Sequence, residues 1–96
     1  MRSISDIQTA LTPVFVDYGI SRAILFGSQS NGTATEKSDI DLLVDSRLRG
    51  LKFVGFMDAV QRVIGIPVDI FDVSHIEKDS RIDREIRATG VTIYEK

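Results

Sequence analysis

Residues 25–45, LFGSQSNGTATEKSDIDLLVD, contain the pattern that decides the fold of this 96-residue chain. Asp39 and Asp41 alternate with Ile40 and Leu42. A β-strand has a side-chain period of two, so both carboxylates are expected on one face of a strand. Two like charges on one face repel each other, and a divalent cation between them removes that repulsion. Oxygen ligands without cysteine favour Mg²⁺ or Mn²⁺ over Zn²⁺.

The aspartate pair also has a purely structural interpretation, with Asp39 in a turn and Asp41 at a solvated strand edge. The residues before the pair favour a site. Gly27 and Ser28 stand where a short apolar run ends. Glycine allows a phosphate to approach the backbone, serine adds a hydroxyl, and a helix beginning there would present free N–H groups to an anion. A phosphate cradle followed by a two-carboxylate strand is more specific than either part alone.

A third acid, Asp69, stands between the β-branched residues Val68 and Ile70. A carboxylate is costly in a buried strand unless it has a task, and three carboxylates on two adjacent strands can hold two Mg²⁺ ions. Asp72 is expected to face away from Asp69 as a turn residue at the end of the strand. His75, the only histidine, has no partner residue in the sequence pattern.

The composition excludes several classes of protein. Ile, Val, Leu and Phe make up 32 of the 96 residues and the net charge is −2, which excludes intrinsic disorder. The absence of cysteine excludes disulfides and thiolate metal sites. The sequence has no long apolar segment, so we expect a cytoplasmic protein that does not enter a membrane. With 12 cations against 14 anions, strong binding to duplex nucleic acid is not expected.

The apolar spacing predicts a single domain over residues 1–96 in the order α β β α β α β. This is an α+β fold (an α/β two-layer arrangement), with a small mixed β-sheet of about four strands packed with helices. Pro13 should kink the first helix or restart it with Thr12 as N-cap. The predicted elements are helices 4–18, 53–64 and 81–89 and strands 23–26, 40–44, 68–73 and 91–94.

Gly27-Ser28, followed by ten residues, Asp39-x-Asp41 and the later Val68-Asp69-Ile70, resembles the DNA polymerase β-type nucleotidyltransferase superfamily. The short chain is similar to the minimal nucleotidyltransferases (MNT), which include the antitoxins of HEPN/MNT toxin–antitoxin pairs. The resemblance implies the nucleotidyltransferase fold over nearly the whole chain.

The resemblance also implies a role for each motif residue. Gly27, Ser28 and Ser38 would bind the nucleotide, with ATP as substrate. Asp39, Asp41 and Asp69 would be both the catalytic residues and the ligands of two Mg²⁺ ions, for which Mn²⁺ can substitute. Asp69 would also help to activate the acceptor hydroxyl.

The chain departs from the family pattern at Gln29-Ser30-Asn31, where many members carry an arginine. The missing arginine is expected to weaken the contacts of this loop to the triphosphate or to a partner, and with them the catalytic activity. Arg47, Arg49 and Lys52 could replace the missing charge, or they could form a solvated basic turn.

The leading hypothesis is a Mg²⁺-dependent enzyme that transfers AMP from ATP to a hydroxyl, with a small all-helical HEPN-type toxin as the partner that provides it. One alternative is a non-catalytic antitoxin that neutralises such a toxin by binding, and a further one is a small-molecule nucleotidyltransferase. One sheet layer with its helices leaves little chain for a second wall of an acceptor cleft, which favours a partner protein. Self-association into a homo-oligomer stays open.

Overall fold

The structure is a computed structural model that describes residues 3–26 and 40–96. Its elements follow the order expected from the sequence, and the α+β class is confirmed. A short 3₁₀ turn at Val73–His75 takes up the predicted end of the third strand. The elements are α1 (Ile4–Tyr18), β1 (Arg22–Phe26), β2 (Ile40–Asp45), α2 (Leu51–Ile64), β3 (Val68–Asp72), α3 (Arg81–Thr89) and β4 (Val91–Glu95).

Helix α1 runs through Pro13 as one helix, so of the two alternatives, a kink at Pro13 or a restart with Thr12 as N-cap, the restart does not occur. Its N-cap is Ser3, whose hydroxyl accepts a hydrogen bond from the Asp6 amide while the Asp6 carboxylate accepts from the Ser3 amide. This capping box satisfies two free amides at the start of the helix. The Thr12 hydroxyl donates to the Gln8 carbonyl at 2.7 Å, so it is occupied inside the helix instead of capping a new one.

The four strands form one mixed sheet in the order β3-β2-β1-β4. Strand β1 is antiparallel to both of its neighbours, β2 and β4. Strands β2 and β3 are parallel and are joined through α2. The sheet therefore places the beginnings of β2 and β3 at the same edge as the end of β1, where Phe26 pairs with Asp41.

Helices α1 and α2 bury one face of the sheet. Phe15 of α1 packs against Phe56 of α2 and Tyr94 of β4, with ring centroids 6.2 and 5.2 Å apart. Alternate residues of the strands point into this core. The buried cluster comprises Ile7, Leu11, Val14, Phe15, Ile20, Ala23, Leu25, Ile40, Leu42, Val44, Phe56, Val60, Ile64 and Ile93.

The opposite face of the sheet carries α3 over β1. Phe26 and Phe71 pack together on this face, with ring centroids 5.9 Å apart. Helix α3 has no fully buried residue, as its thin apolar stripe predicts for a surface helix. Its end lies close to the sheet, because a Cβ added to Gly90 would come within 3.0 Å of Ile24 on β1.

Asp72, at the end of β3, is a buried carboxylate that ties two loops together. One of its oxygens accepts from the Ser46 amide and hydroxyl at 3.1 and 2.6 Å, and the other accepts from the Ser74 amide and hydroxyl at 3.0 and 2.6 Å. Burial alone would raise the pKa of Asp72, but these four hydrogen bonds outweigh it and lower the pKa to about 2. The charged carboxylate thus fixes the ends of the parallel pair β2–β3.

In the part of the chain that the structure describes, residues 3–26 and 40–96, no helix combines the length and apolar character required to cross a membrane.

The hydrogen bonds of Asp72 predict that replacing this residue lowers the free energy of unfolding, and that the loss depends on pH. The pKa falls from 3.8 to about 2 on folding, so the charged form contributes about 2 kcal/mol above pH ~4, and this contribution disappears as the pH falls towards 2. Asp72→Asn should therefore lower the free energy of unfolding by about 2 kcal/mol at neutral pH. The difference in the free energy of unfolding between this variant and the unsubstituted protein should become smaller as the pH falls from about 4 to about 2.

Urea unfolding at a series of pH values measures this difference. Asp58→Asn is the matched control, because Asp58 is exposed and its ion pair within residues 3–26 and 40–96 is the i,i+4 pair with Arg62, which is worth at most about 0.5 kcal/mol. A difference for Asp72→Asn that is the same at pH 7 and pH 2 would contradict the assignment.

Candidate active site

Asp41 and Asp69 lie side by side on adjacent strands. The parallel register pairs Asp41 with Asp69, and the antiparallel register pairs Asp41 with Phe26 on its other side. Neighbouring strands are about 4.8 Å apart. The three residues therefore form a row across the end of the sheet, with the two acids next to each other.

The apolar neighbours of each acid determine the face on which it lies. Ile40 and Leu42 are fully buried in the core between the sheet and the helices, and Val68 and Ile70 pack against the same core. Since side chains alternate along a strand, Asp41 and Asp69 point to the opposite face. The two acids thus share a face and an edge of the sheet.

A cavity of about 740 Å³ lies over the two carboxylates. This is within the range of about 300–1,000 Å³ typical of small-molecule sites. The sheet provides its floor, and the segment from the 3₁₀ turn into α3 provides its wall. The lining residues are Phe26, Asp41, Asp69, Phe71, His75, Ile76, Glu77, Ser80, Arg81, Ile82 and Glu85.

The charges of this cavity favour a cation. Four of the described lining residues are carboxylates: Asp41 and Asp69 on the floor, Glu77 and Glu85 on the wall. Arg81 is the one arginine or lysine among the described lining residues. Paired carboxylates suit Mg²⁺, which is commonly held by one or two of them together with substrate phosphates and water. The donor chemistry of Asp41 and Asp69 thus fits the ion that the sequence implies.

The other predicted site residues, Gly27, Ser28, Ser38 and Asp39, lie outside the described residues, as does the loop Gln29-Ser30-Asn31. Within residues 3–26 and 40–96, no group of three or more acidic, histidine or cysteine side chains is arranged to hold a metal ion. The described part of the predicted metal site is thus the pair Asp41 and Asp69.

The basic turn after β2 does not contribute to this cavity. Arg47 and Arg49 line a second cavity of about 570 Å³, together with Asp45 and Asp72. Asp45 lies four residues along β2 from Asp41, which is about 13 Å at 3.3 Å per residue. Lys52 lines neither of the two cavities. In this structure, these three cations do not take the place of the missing loop arginine.

The wall of the cavity was missed by reasoning from the sequence. His75, Glu77, Arg81 and Glu85 belong to a connection and a surface helix that carry no motif. The capping signal at Ser80 places the start of α3, and the Ser80 hydroxyl does accept from the Asp83 amide. That signal does not reveal which sheet edge the helix start approaches.

The paired carboxylates predict that removing one charge will not destabilise the fold. Asp69 is exposed and lies next to Asp41, and like charges on paired strands repel by up to about 1 kcal/mol. Asp69→Asn should therefore leave the free energy of unfolding unchanged or raise it by up to about 1 kcal/mol in metal-free buffer. Chemical denaturation measures the difference.

Asp45→Asn provides the contrast, because Asp45 is paired in register with Arg22, a residue of opposite charge. This variant should be slightly less stable than the unsubstituted protein. A decrease of more than about 1 kcal/mol in the free energy of unfolding of Asp69→Asn would show instead that Asp69 stabilises the fold, despite its repulsion from Asp41.

Comparison with known proteins supports the family assignment at the level of sequence. The family model described as polymerase beta, nucleotidyltransferase, matches residues 9–96. MJ0435 of Methanocaldococcus jannaschii, named as a putative protein adenylyltransferase, is 30% identical over 76 residues, which cover 77% of this chain and 82% of that protein.

Solved structures of low sequence identity share the fold. A toxin–antitoxin complex with AMP-PNP contains a chain with a TM-score of 0.77 and 19% identity, and the match covers 93% of this chain and 73% of that one. The complex of a tri-AMPylated HEPN toxin from Shewanella oneidensis with an MNT antitoxin contains a chain with a TM-score of 0.72 and 15% identity. That match covers 97% of this chain and 73% of that one. A structure described as a putative minimal nucleotidyltransferase has a TM-score of 0.75 and 23% identity, and the match covers 94% of this chain and 95% of that one.

The family model covers most of the chain, and the described structure has the fold of the minimal nucleotidyltransferases. The chain therefore belongs to the polymerase β nucleotidyltransferase family.

Proposed function

We propose that this protein transfers AMP from ATP to a hydroxyl group of a partner protein in a Mg²⁺-dependent reaction. The observation that supports the proposal best is the pairing of Asp41 with Asp69 on the floor of the 740 Å³ cavity. The family assignment supports a nucleotidyl transfer. We propose also that residues 1–96 act as one nucleotidyltransferase domain, with Gly27, Ser28 and Ser38 on the nucleotide and Asp39 as the third acid.

In this reaction the hydroxyl oxygen attacks the α-phosphorus of ATP and pyrophosphate leaves. Bound Mg²⁺ would offset the charge of the phosphates and lower the pKa of the attacking hydroxyl. Asp41 and Asp69, with Asp39, would hold the ions. Asp69 would also orient the hydroxyl, whose proton is released as the new phosphorus–oxygen bond forms. The wall from His75 to Glu85 would shield one side of the site from water.

The partner protein is supported by the solved relatives. Two of the structures that share this fold are toxin–antitoxin complexes, one with AMP-PNP and one with an AMPylated HEPN toxin. We propose a small HEPN-type toxin as the acceptor protein here as well. A partner that docks at the open side of the cavity would supply both the hydroxyl and a second wall, and positioning of this kind can lower a barrier by several kcal/mol.

A second candidate function is supported by one observation on the sequence. The residues Gln29-Ser30-Asn31 carry no cation, and a weakened contact to the triphosphate would suit an antitoxin that neutralises its partner by binding without transfer. In that case the acid pair would be a remnant of the family site. A small hydroxylated molecule as acceptor is a third candidate.

The transfer predicts an AMP-modified partner. The protein should be incubated with ATP, Mg²⁺ and the product of the adjacent open reading frame, and both chains analysed by intact mass spectrometry. The partner should gain the mass of AMP, and a chelator should abolish the gain. Asp41→Asn should slow the modification by roughly a hundredfold or more, because the charge that holds the cation at the reacting phosphate is lost.

Asp58→Asn is the matched control, since it removes a carboxylate that lines neither of the two cavities, and it should modify the partner at the normal rate. A stable complex without modification would favour the non-catalytic antitoxin. Modification of a small hydroxylated compound, with no complex, would favour the third candidate.

A further inference from the structure

Arg81 occupies a distinctive position in the cavity over Asp41 and Asp69. It is the first residue of α3, and it lines the wall that faces the two acids. Among the described lining residues, Arg81 stands as the one fixed cation beside four carboxylates. A bound polyphosphate needs compensating positive charge, and the sequence offers none at Gln29-Ser30-Asn31.

The position of Arg81 is fixed at the backbone by the cap of α3. The Ser80 hydroxyl accepts from the Asp83 amide, and the Asp83 carboxylate accepts from the Asp79 amide at 2.9 Å. These bonds set the residue at which the helix begins. The backbone of Arg81 is therefore held at the cavity wall, although its side chain is exposed.

The guanidinium group of Arg81 differs from those of its neighbours on α3 in having no partner among the described residues. Arg84 donates to the Asp79 carbonyl, and Arg87 pairs with Asp83 at 3.2 Å and with Asp79 at 3.9 Å. Arg81 forms no hydrogen bond or ion pair through its side chain with residues 3–26 or 40–96. Binding an anion would thus break no existing interaction of this side chain within those residues.

We propose that Arg81 binds the phosphate chain of the nucleoside triphosphate and supplies the positive charge that residues 29–31 lack. The inference rests on the proposed nucleotidyl transfer. Arginine suits this role because its planar guanidinium presents several N–H donors in a fork that matches two phosphate oxygens. The paired carboxylates on the floor of the cavity and Arg81 on its wall then act on the same ligand, the acids through the cation and the arginine directly.

Calorimetric titration with Mg-ATP, Mg-ADP and adenosine tests this role. Arg81→Ala should weaken Mg-ATP binding by about tenfold, as expected for the loss of a hydrogen-bonded charge, and should leave adenosine binding unchanged. Arg81→Lys should recover part of the loss, because it restores the charge without the fork. Arg84→Ala is the matched control on the same helix, and it should bind Mg-ATP like the unsubstituted protein.

The outcomes separate this inference from the proposed function. Failure of the unsubstituted protein to bind Mg-ATP overturns both. Normal Mg-ATP binding by Arg81→Ala, alone or with slower transfer, overturns the phosphate role and leaves the proposed function standing. An equal loss for adenosine and Mg-ATP also overturns it, because Arg81 would then contact the nucleoside.

Discussion

The parallel pairing of β2 with β3 is the constraint on which the candidate site depends. It pairs Asp41 with Asp69 on the face of the sheet that lies away from α1 and α2. The burial of Ile40 and Leu42, together with the packing of Val68 and Ile70 against the same core, holds both strands in this orientation. A shift of one residue in either strand would turn an acid into the core, at a large cost in free energy. The apolar core therefore enforces the closeness of two like charges.

The carboxylates at the two ends of the β2–β3 pair have different environments. At the end of β3, Asp72 is buried and accepts four hydrogen bonds from Ser46 and Ser74. At the beginning of β3, Asp69 is exposed and lies beside Asp41 of β2. The first arrangement stabilises the charged form within the protein itself, whereas the second leaves a charge that a bound cation can neutralise. One end of the pair is thus built for stability, and the other is suited to binding.

The sequence was sufficient to predict much of this fold because its local signals are strong. The alternation of Asp41 with Ile40 and Leu42 predicts the two faces of β2, and the apolar spacing predicts the ranges of the helices closely. At Pro13 the sequence leaves a kink and a restart open; the restart does not occur, because the local preference of proline against a helix interior is outweighed by the capping box at Ser3 and by the packing of α1 on the core. Arg47 and Arg49 do not substitute for a loop cation at Asp41, because the length of β2 separates them from it and they line a different cavity. Arg81 went unnoticed, since only the tertiary path of α3 brings it to the cavity.

The central claim is that Asp41 and Asp69 act together on one divalent cation. NMR titration of the isotope-labelled protein with Mn²⁺ tests it most directly, because the paramagnetic ion broadens the signals of nearby amides. If the two acids share one ion, the amides around Asp41 on β2 and around Asp69 on β3 broaden together, at the same low ratio of Mn²⁺ to protein, and Asp41→Asn or Asp69→Asn weakens the broadening on both strands. Broadening confined to one strand, or spread evenly over exposed acids such as Asp58 and Asp79, would contradict the account.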